Sequence, residues 1–178
     1  MILKDLLEKV IMIVRLEAAD IQNDGPKLRQ LIDCANMIYS ELTLEYIHLK
    51  AKENILFNGQ SRADYTSFSN RVREVLSVEI NGTNIPFETF PQHIIAASLR
   101  GERAWVTYLY HTPELTINSL LILPPQYTEH IIAAGIASEY FYRTGMPEEA
   151  AFYKARYDNS IINLGRRVKS VHLPGRRF

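Results

Sequence analysis

The sequence predicts an α+β protein in which a β insert separates two pairs of helices. Three observations support this class. Apolar residues recur at helical spacing near both ends of the chain, an Asn-Gly pair joins two β-type segments in the middle, and a Gly-Met-Pro joint separates the last two helical segments. The 178 residues suffice for one compact domain. We predict a single domain over residues 1–164, with the β insert at about 55–123, followed by an extended arm over 165–178.

The first two elements are amphipathic helices. From Leu3 to Val14, apolar residues recur every three or four positions and charged residues occupy the other side. After a polar link at about residues 17–26, Pro26 suits the first turn of a second helix, whose apolar stripe continues to Leu42. Each stripe needs an apolar partner, so we expect this pair of helices to fold back on itself.

A β-hairpin is the strongest signal of the insert, which begins near Ile55 with β-favouring residues again at 65–68. Residues 76–80 and 83–87 are β-type segments separated by Asn81 and Gly82, which tolerate the two positive φ angles of a type I′ turn. Pro86 has no amide hydrogen, so the returning strand is an edge strand or ends there.

A central strand is predicted for residues 103–110. Both alternating sets of side chains in this segment are largely apolar, and we expect burial on both faces. The chain then continues in an extended conformation to Leu123.

The C-terminal helices form an αα-hairpin in this prediction. The two prolines at 124 and 125 stop the extended segment, and a helix follows that runs to about Thr144. Gly145 is a natural left-handed stop, and Pro147 starts a second helix with acidic residues in its first turn. This last helix is expected to end at Leu164, before Gly165.

The C-terminal segment is the one anomaly of charge. The whole chain is neutral, with 20 basic and 20 acidic residues, but no acidic residue follows Asp158. The five basic residues after it leave residues 1–158 with 15 basic against 20 acidic groups, a net charge of −5. Apolar side chains alternate with these cations, so we interpret the segment as an arm that docks on an acidic protein groove, with a frayed solubilising end and a DNA-binding arm as the alternatives. The predicted binding residues are Arg166, Arg167, Lys169, Val171, Leu173, Pro174, Arg176, Arg177 and Phe178.

Sites of chemistry are not expected. Cys34 is the only cysteine and lies on the apolar side of a predicted helix, where it is most simply a core residue. The histidines, at 48, 93, 111, 130 and 172, lack the spacing of a helical metal pair, and the isolated glycines form no phosphate-binding loop. We therefore predict no catalytic residue, no metal and no cofactor, and hence no enzyme.

Balanced charge gives the whole molecule no electrostatic reason to coat nucleic acid or an anionic membrane. No apolar run approaches the roughly 20 residues that cross a bilayer, and the first residues do not resemble a signal peptide. We expect a soluble protein from a reducing compartment.

Several segments, in this order, resemble the head-to-tail connector (adaptor) proteins of tailed bacteriophages. The resemblance comprises an N-terminal helix, a helix with Leu31-Ile32-Asp33-Cys34-Ala35-Asn36, a strand with Trp105-Val106-Thr107-Tyr108, Leu123-Pro124-Pro125-Gln126-Tyr127, Ala137-Ser138-Glu139-Tyr140, Gly145, Glu148-Glu149-Ala150, residues 153–157 and the basic end Pro174-Gly175-Arg176-Arg177-Phe178. The shared feature is the pattern and its order rather than any one string.

The resemblance implies a structural virion protein, made in the cytoplasm of the host bacterium and located at the neck. Twelve copies would form a ring beneath the portal, the arm would reach into the portal protein, and DNA would touch the ring only in transit. The β portion, with Asn81 and Gly82 at its turn, would face a downstream tail or neck protein. No membrane is implied. The alternatives are another neck component, such as a stopper or tail-completion protein, and a DNA-binding regulator.

Overall fold

The structure, a computed structural model, describes residues 1–17, 19 and 25–168. Its helices and strands confirm the predicted α+β class. The helices of the described residues are α1 (Leu3–Val14), α2 (Pro26–Glu45), α3 (Glu129–Arg143) and α4 (Pro147–Val168). The strands are β1 (Lys50–Leu56), β2 (Arg62–Asp64), β3 (Val72–Ile80), β4 (Thr83–Asn84), β5 (Glu88–Thr89), β6 (His93–Ile95) and β7 (Arg103–Tyr110).

The chain forms two compact units. Unit 1 contains Met1–Glu41 and the chain from Glu114 onward, and unit 2 is Leu42–Pro113. The strands of unit 2 begin at Lys50, five residues before the predicted start of the β insert at about 55. The last of them ends at Tyr110, and the chain after Pro113 belongs to unit 1. A single domain over residues 1–164 stays a prediction.

Unit 1 is built around α3. Residues 132–138 of this helix are all buried, because it contacts both α1 and α4. The apolar stripe of α1 is buried as its periodicity predicts, and so is Cys34 of α2. Gly145, at φ 77°, forms the predicted joint between α3 and α4, and the Phe141 ring of α3 stacks on Tyr153 of α4 at 5.6 Å.

Unit 2 contains two antiparallel sheets. The larger has the strand order β1-β7-β3-β4 and the smaller the order β2-β6-β5. Side chains from both sheets form one apolar cluster, in which Phe57, Val78, Ile94 and Val106 are completely buried. β7 is a central strand as predicted, since β1 and β3 pair with its two edges.

Three predicted boundaries are wrong. The β-favouring segment at 65–68 contains a 3-10 helix, Tyr65–Ser67, whose Ser67 hydroxyl bonds back to the Asp64 carbonyl at 2.6 Å. β4 is an edge strand of its sheet, as Pro86 predicts, but it ends at Asn84 instead of continuing to residue 87. The helix α4 continues to Val168 instead of ending at Leu164, because one glycine costs a helix only about 1 kcal/mol and good helix formers follow it. Residues 165–168, predicted to begin the arm, therefore have helical backbone.

Candidate interaction surfaces

Unit 1 exposes an aliphatic patch made of Ile2, Leu120 and Ile122. Their side chains are 45%, 64% and 59% exposed. Ile2 and Leu120 pair in an isolated antiparallel β-bridge, which places both side chains on one face. Ile122 lies two residues further along the extended chain and shares that face. Three branched aliphatic side chains thus share one exposed face, which we call the aliphatic patch.

The backbone beneath the patch is held by the start of α1. The first amides of a helix have no partner within it, and Ile2 supplies no side-chain cap. The carbonyls of residues 117 and 119 accept these amides instead, from Lys4 at 3.0 Å and Leu3 at 2.9 Å, and the Leu121 amide donates to the Met1 carbonyl at 2.9 Å. The patch is therefore joined through its main chain to a helix whose apolar stripe is buried.

Two side chains of α2 form hydrogen bonds with the backbone of the same extended segment, residues 115–122. Asn36 accepts the Leu115 amide at 2.8 Å and donates its own amide to the Leu115 carbonyl at 3.3 Å. The Tyr39 hydroxyl accepts the Ile122 amide at 3.1 Å and donates to the Ile122 carbonyl at 3.4 Å. Since Tyr39 is buried, it holds the backbone of Ile122 while the aliphatic side chain points to solvent.

A cleft of about 420 Å³ lies beside the patch, at the start of α3. Lys9 of α1 donates to the Glu129 carboxylate there, and this hydrogen bond holds the pKa of Glu129 below its usual range. The cleft is lined by residues of α1, of the segment before α3 and of the first turn of α3: Met1, Lys9, Leu121, Leu123, Pro124, Pro125, Tyr127, Thr128, Glu129 and His130.

Unit 2 exposes one end of its larger sheet around Trp105. The prediction that β7 is buried on both faces is wrong at this end, because Trp105 is 47% exposed and Arg103 is exposed as well. Thr107 and Leu109, which share that face, are each only 6% exposed. The predicted alternation of side chains in β7 is therefore correct. On the face of Trp105, however, only the second half of the strand is buried.

Polar contacts order the surroundings of Trp105. Lys52 of β1 and Glu79 of β3 form an ion pair at 2.6 Å that crosses β7 above Thr107, and this bond lowers the pKa of Glu79. The Arg103 guanidinium donates to the Asn54 carbonyl at 3.3 Å. A half-exposed tryptophan in such a frame has the character of an interface anchor.

The predicted hairpin turn lies at the same end of the sheet. Asn81 has φ 48° and Gly82 has φ 80°, the two positive values of the predicted turn. Glu79 pairs with Trp105, and Ile80 pairs with Thr83 across the turn, so the turn and the tryptophan are close neighbours in the sheet. A contact of Asn81 and Gly82 with a tail component stays a prediction.

Most of the predicted binding arm lies outside the described residues. The backbone of Arg166 and Arg167 belongs to the last turn of α4. Outside the described residues lie Lys169, Val171, Leu173, Pro174, Arg176, Arg177 and Phe178.

Cys34 is fully buried, and burial raises the pKa of its thiol to about 11, so the thiol stays protonated. Across residues 1–17, 19 and 25–168, His, Cys, Asp and Glu nowhere gather in a group of three or more that would hold a metal ion. In the same part of the chain, no helix has the length and apolar character needed to cross a membrane.

Comparison with protein-family models finds no match, and no curated protein matches the sequence. The resemblance to connector proteins therefore stays an inference from the sequence.

Sequence reasoning missed the aliphatic patch. Residues 115–123 were predicted only as extended chain, although Leu120 and Ile122 alternate with Leu121 and Leu123. Both sets are apolar, so the alternation does not identify the exposed face. The structure makes the distinction, because Leu121 is 3% exposed.

Proposed function

We propose that this chain is a structural protein of the neck of a tailed bacteriophage, an adaptor that forms a ring under the portal and joins the capsid to the tail. DNA would pass through the lumen of the ring, and the role would be mechanical rather than catalytic. The observation that carries the proposal is the cationic, apolar segment that follows α4, with five basic residues and no acidic residue after Asp158. Such a segment suits a protein groove, because arginines bind carboxylates while Val171, Leu173 and Phe178 fill apolar pockets.

The helix α4 supports this role by its length. Its 22 residues span about 33 Å, so the segment after Val168 begins at one end of a long rod. The other end of the rod is fixed to α3 by the joint at Gly145 and the stacking of Phe141 on Tyr153. An arm at the far end of a rigid helix can reach a partner without rearrangement of the unit that holds it.

The exposed apolar surfaces support an assembled state. Large apolar residues are about half exposed or more on each unit, among them Leu120 in unit 1 and Trp105 in unit 2. Contiguous apolar surface on a small protein commonly marks a contact with another chain. In a ring, each copy would use such surfaces against its neighbours, and many linked copies would make weak individual contacts sufficient.

Deletion of residues 171–178 tests the arm directly. The truncated chain should keep the far-ultraviolet circular dichroism of the full chain and unfold cooperatively, because the deleted residues follow the last helix. It should no longer co-sediment with purified portal rings of the same phage. The matched control removes two exposed cations elsewhere, Lys4→Ala with Lys50→Ala, and should co-sediment normally. Full co-sedimentation of the truncated chain would reject the arm as the anchor.

A DNA-binding role gives a different result in solution. The isolated chain would then bind duplex DNA with an affinity that falls steeply with salt, since five cations would displace condensed counterions. The adaptor proposal expects only weak binding, because residues 1–158 carry an opposing net charge of −5, with 15 basic against 20 acidic groups. Tight, salt-sensitive binding of the isolated chain would favour the regulator over the adaptor.

A further inference from the structure

The end of α4 lies beside the start of α3. The two helices are antiparallel around the Gly145 joint, with Phe141 stacked on Tyr153 and Tyr157 against Gly135. Residues later in α4 therefore lie beside residues earlier in α3. The last turns of α4 therefore reach the level of Glu129, the first residue of α3.

The aliphatic patch lies at the same end of unit 1. Met1 and Leu121 line the cleft at the start of α3, together with Glu129. Ile2 and Leu120 are their immediate chain neighbours, so the patch lies at the end of unit 1 at which α4 ends. The described residues cover these three residues only in part, since 45% to 64% of each stays exposed.

We propose that in the isolated protein residues 169–178 fold back onto the aliphatic patch of their own chain. Val171 and Leu173 would cover Ile2, Leu120 and Ile122 until another molecule displaces them. The patch is then an intramolecular docking surface, and its occupant is the segment 169–178, which we call the C-terminal tail. This inference does not rest on the proposed function, since it concerns the chain before any partner is bound.

Length and connectivity favour this occupant. Ten residues follow Val168, and an extended segment of that length spans up to about 34 Å, about the length of α4 itself. Because the segment is tethered at the same end of unit 1 as the patch, its effective concentration there is on the order of millimolar. The alternation of Val171 and Leu173 places both side chains on one face of an extended chain, which matches the extended backbone of the patch.

Charge favours contact of the segment with its own chain in general, rather than with the patch in particular. The segment carries Lys169, Arg176 and Arg177 and no acidic residue, whereas residues 1–158 have 15 basic against 20 acidic groups. Attraction between the two parts of the chain adds to the apolar contact and fades with salt.

Disulfide trapping tests the proposal, and the chain suits it because Cys34 is buried and its thiol remains protonated. Leu120→Cys combined with Leu173→Cys places one thiol on the patch and one on the tail. Under mild oxidation we expect an intramolecular disulfide in most molecules, formed at least tenfold faster than in the control pair Met12→Cys with Leu173→Cys. Met12 is 76% exposed and lies about 15 Å along α1 from Ile2.

Two outcomes would overturn the proposal. Equal rates in the two cysteine pairs would mean that the tail samples the surface without preference for the patch. Disulfide-linked dimers would assign the patch to the tail of a second copy. Leu120 and Met12 are both exposed, so neither cysteine substitution should disturb the fold. Loss of the crosslink in reductant confirms that it is a disulfide.

Binding of the dye 1-anilinonaphthalene-8-sulfonate gives a readout without cysteines. Deletion of residues 169–178 should raise dye fluorescence severalfold by uncovering the patch. The same deletion in a Leu120→Ser/Ile122→Ser chain should give little or no rise. An equal rise of dye fluorescence in both chains, or no rise in either, would contradict the proposal that residues 169–178 cover the patch.

Discussion

The carboxylate of Glu53 shows how single residues anchor unit 2. It accepts hydrogen bonds from the Tyr108 hydroxyl, from the Ser69 amide at 3.0 Å and from the Ser69 hydroxyl at 3.1 Å. Burial alone would raise the pKa of Glu53, but these bonds favour the charged form and hold the pKa below its usual value of 4.5. Glu53 thereby links β1, β7 and the loop before β3.

Tyr108→Phe should reduce this link in a pH-dependent way. Because the folded pKa is lowered, the stabilisation by Glu53 is present above pH 4.5 and lost as the pH falls through the folded pKa. At pH 7 we expect the variant to be less stable by about 1 kcal/mol in urea unfolding, and part of this difference should vanish in acid. Tyr110→Phe, in the same strand, is the control and should show no such pH dependence. A difference that is constant from pH 7 to pH 3 would refute the role of Glu53.

Residue identity predicted some positions and failed at others. Gly82 follows Asn81 in a pair that favours positive φ, so the turn could be located from two letters. Cys34 lay on an apolar stripe, and its burial followed. The exposure of Trp105 could not be predicted in this way. It depends on which other parts of the chain pack over that end of the strand, and the local sequence pattern does not contain this information.

Among the elements, the hairpin of α3 and α4 depends on one close approach. An ideal Cβ on Gly135 would lie 2.9 Å from Cδ2 of Tyr157 and 3.1 Å from Cγ2 of Ile38. Tyr157 is 1% exposed and Ile38 is 4% exposed, so neither side chain has free space to move into. A glycine inside a helix normally lowers its stability, and here it allows α3 to lie against both neighbours.

Gly135→Ala should therefore destabilise the protein although alanine favours helices. Overpacking of a core costs about 1–3 kcal/mol, against a gain of up to about 1 kcal/mol in helix propensity. We expect a lower melting temperature by differential scanning calorimetry. Gly59→Ala is the control, since no atom lies within 4 Å of its ideal Cβ and the change should be nearly neutral. A melting temperature equal to or above that of the parent would contradict the close approach.

Tyr39→Phe should loosen the extended segment that carries the patch. The hydroxyl accepts the Ile122 amide and donates to the Ile122 carbonyl, and no neighbouring strand replaces these bonds among the described residues. We expect faster hydrogen exchange at residues 120–122, by about tenfold, with little change in the strands of unit 2. Tyr142→Phe is the control because its side chain is 73% exposed. Unchanged exchange at Ile122 would mean that the contacts from α1 alone hold the segment.

Helical periodicity located all four described helices, because each has a stripe of buried apolar residues. Short elements were predicted less well. The 3-10 helix at Tyr65–Ser67 depends on a bond from Ser67 to the main chain, and the end of α4 depends on the small cost of Gly165. In both cases the two alternative backbone conformations differ in free energy by about 1 kcal/mol, and a pattern of apolar residues does not predict so small a difference.

At the scale of the whole molecule, the chain divides its charge unequally. Residues 1–158 carry 15 basic and 20 acidic groups, and all of the remaining charge is positive. On the proposed function, Phe178 would be an apolar anchor and Arg176 and Arg177 would pair with carboxylates of the portal. The same segment would rest on the aliphatic patch before docking, so the two contacts would exclude each other.

Phe178→Ala should weaken docking to the portal by about tenfold or more, and Arg176→Ala with Arg177→Ala should do the same. Truncation of a buried aromatic or arginine anchor typically costs more than about 1 kcal/mol. Lys4→Ala with Lys50→Ala removes the same number of charges from exposed positions and should change docking little. Surface plasmon resonance on immobilised portal rings would measure the three affinities. Equal losses in all three variants would indicate unspecific attraction between charges.

Electron cryo-microscopy of portal rings mixed with the full chain tests the central claim most directly. The account predicts a symmetric collar of density under the portal, with one copy of the chain for each portal subunit and residues 171–178 ordered inside the portal. The collar should be lost with the chain that lacks these residues. Portal rings without added density, or a collar whose C-terminal segments touch no portal residue, would contradict the account.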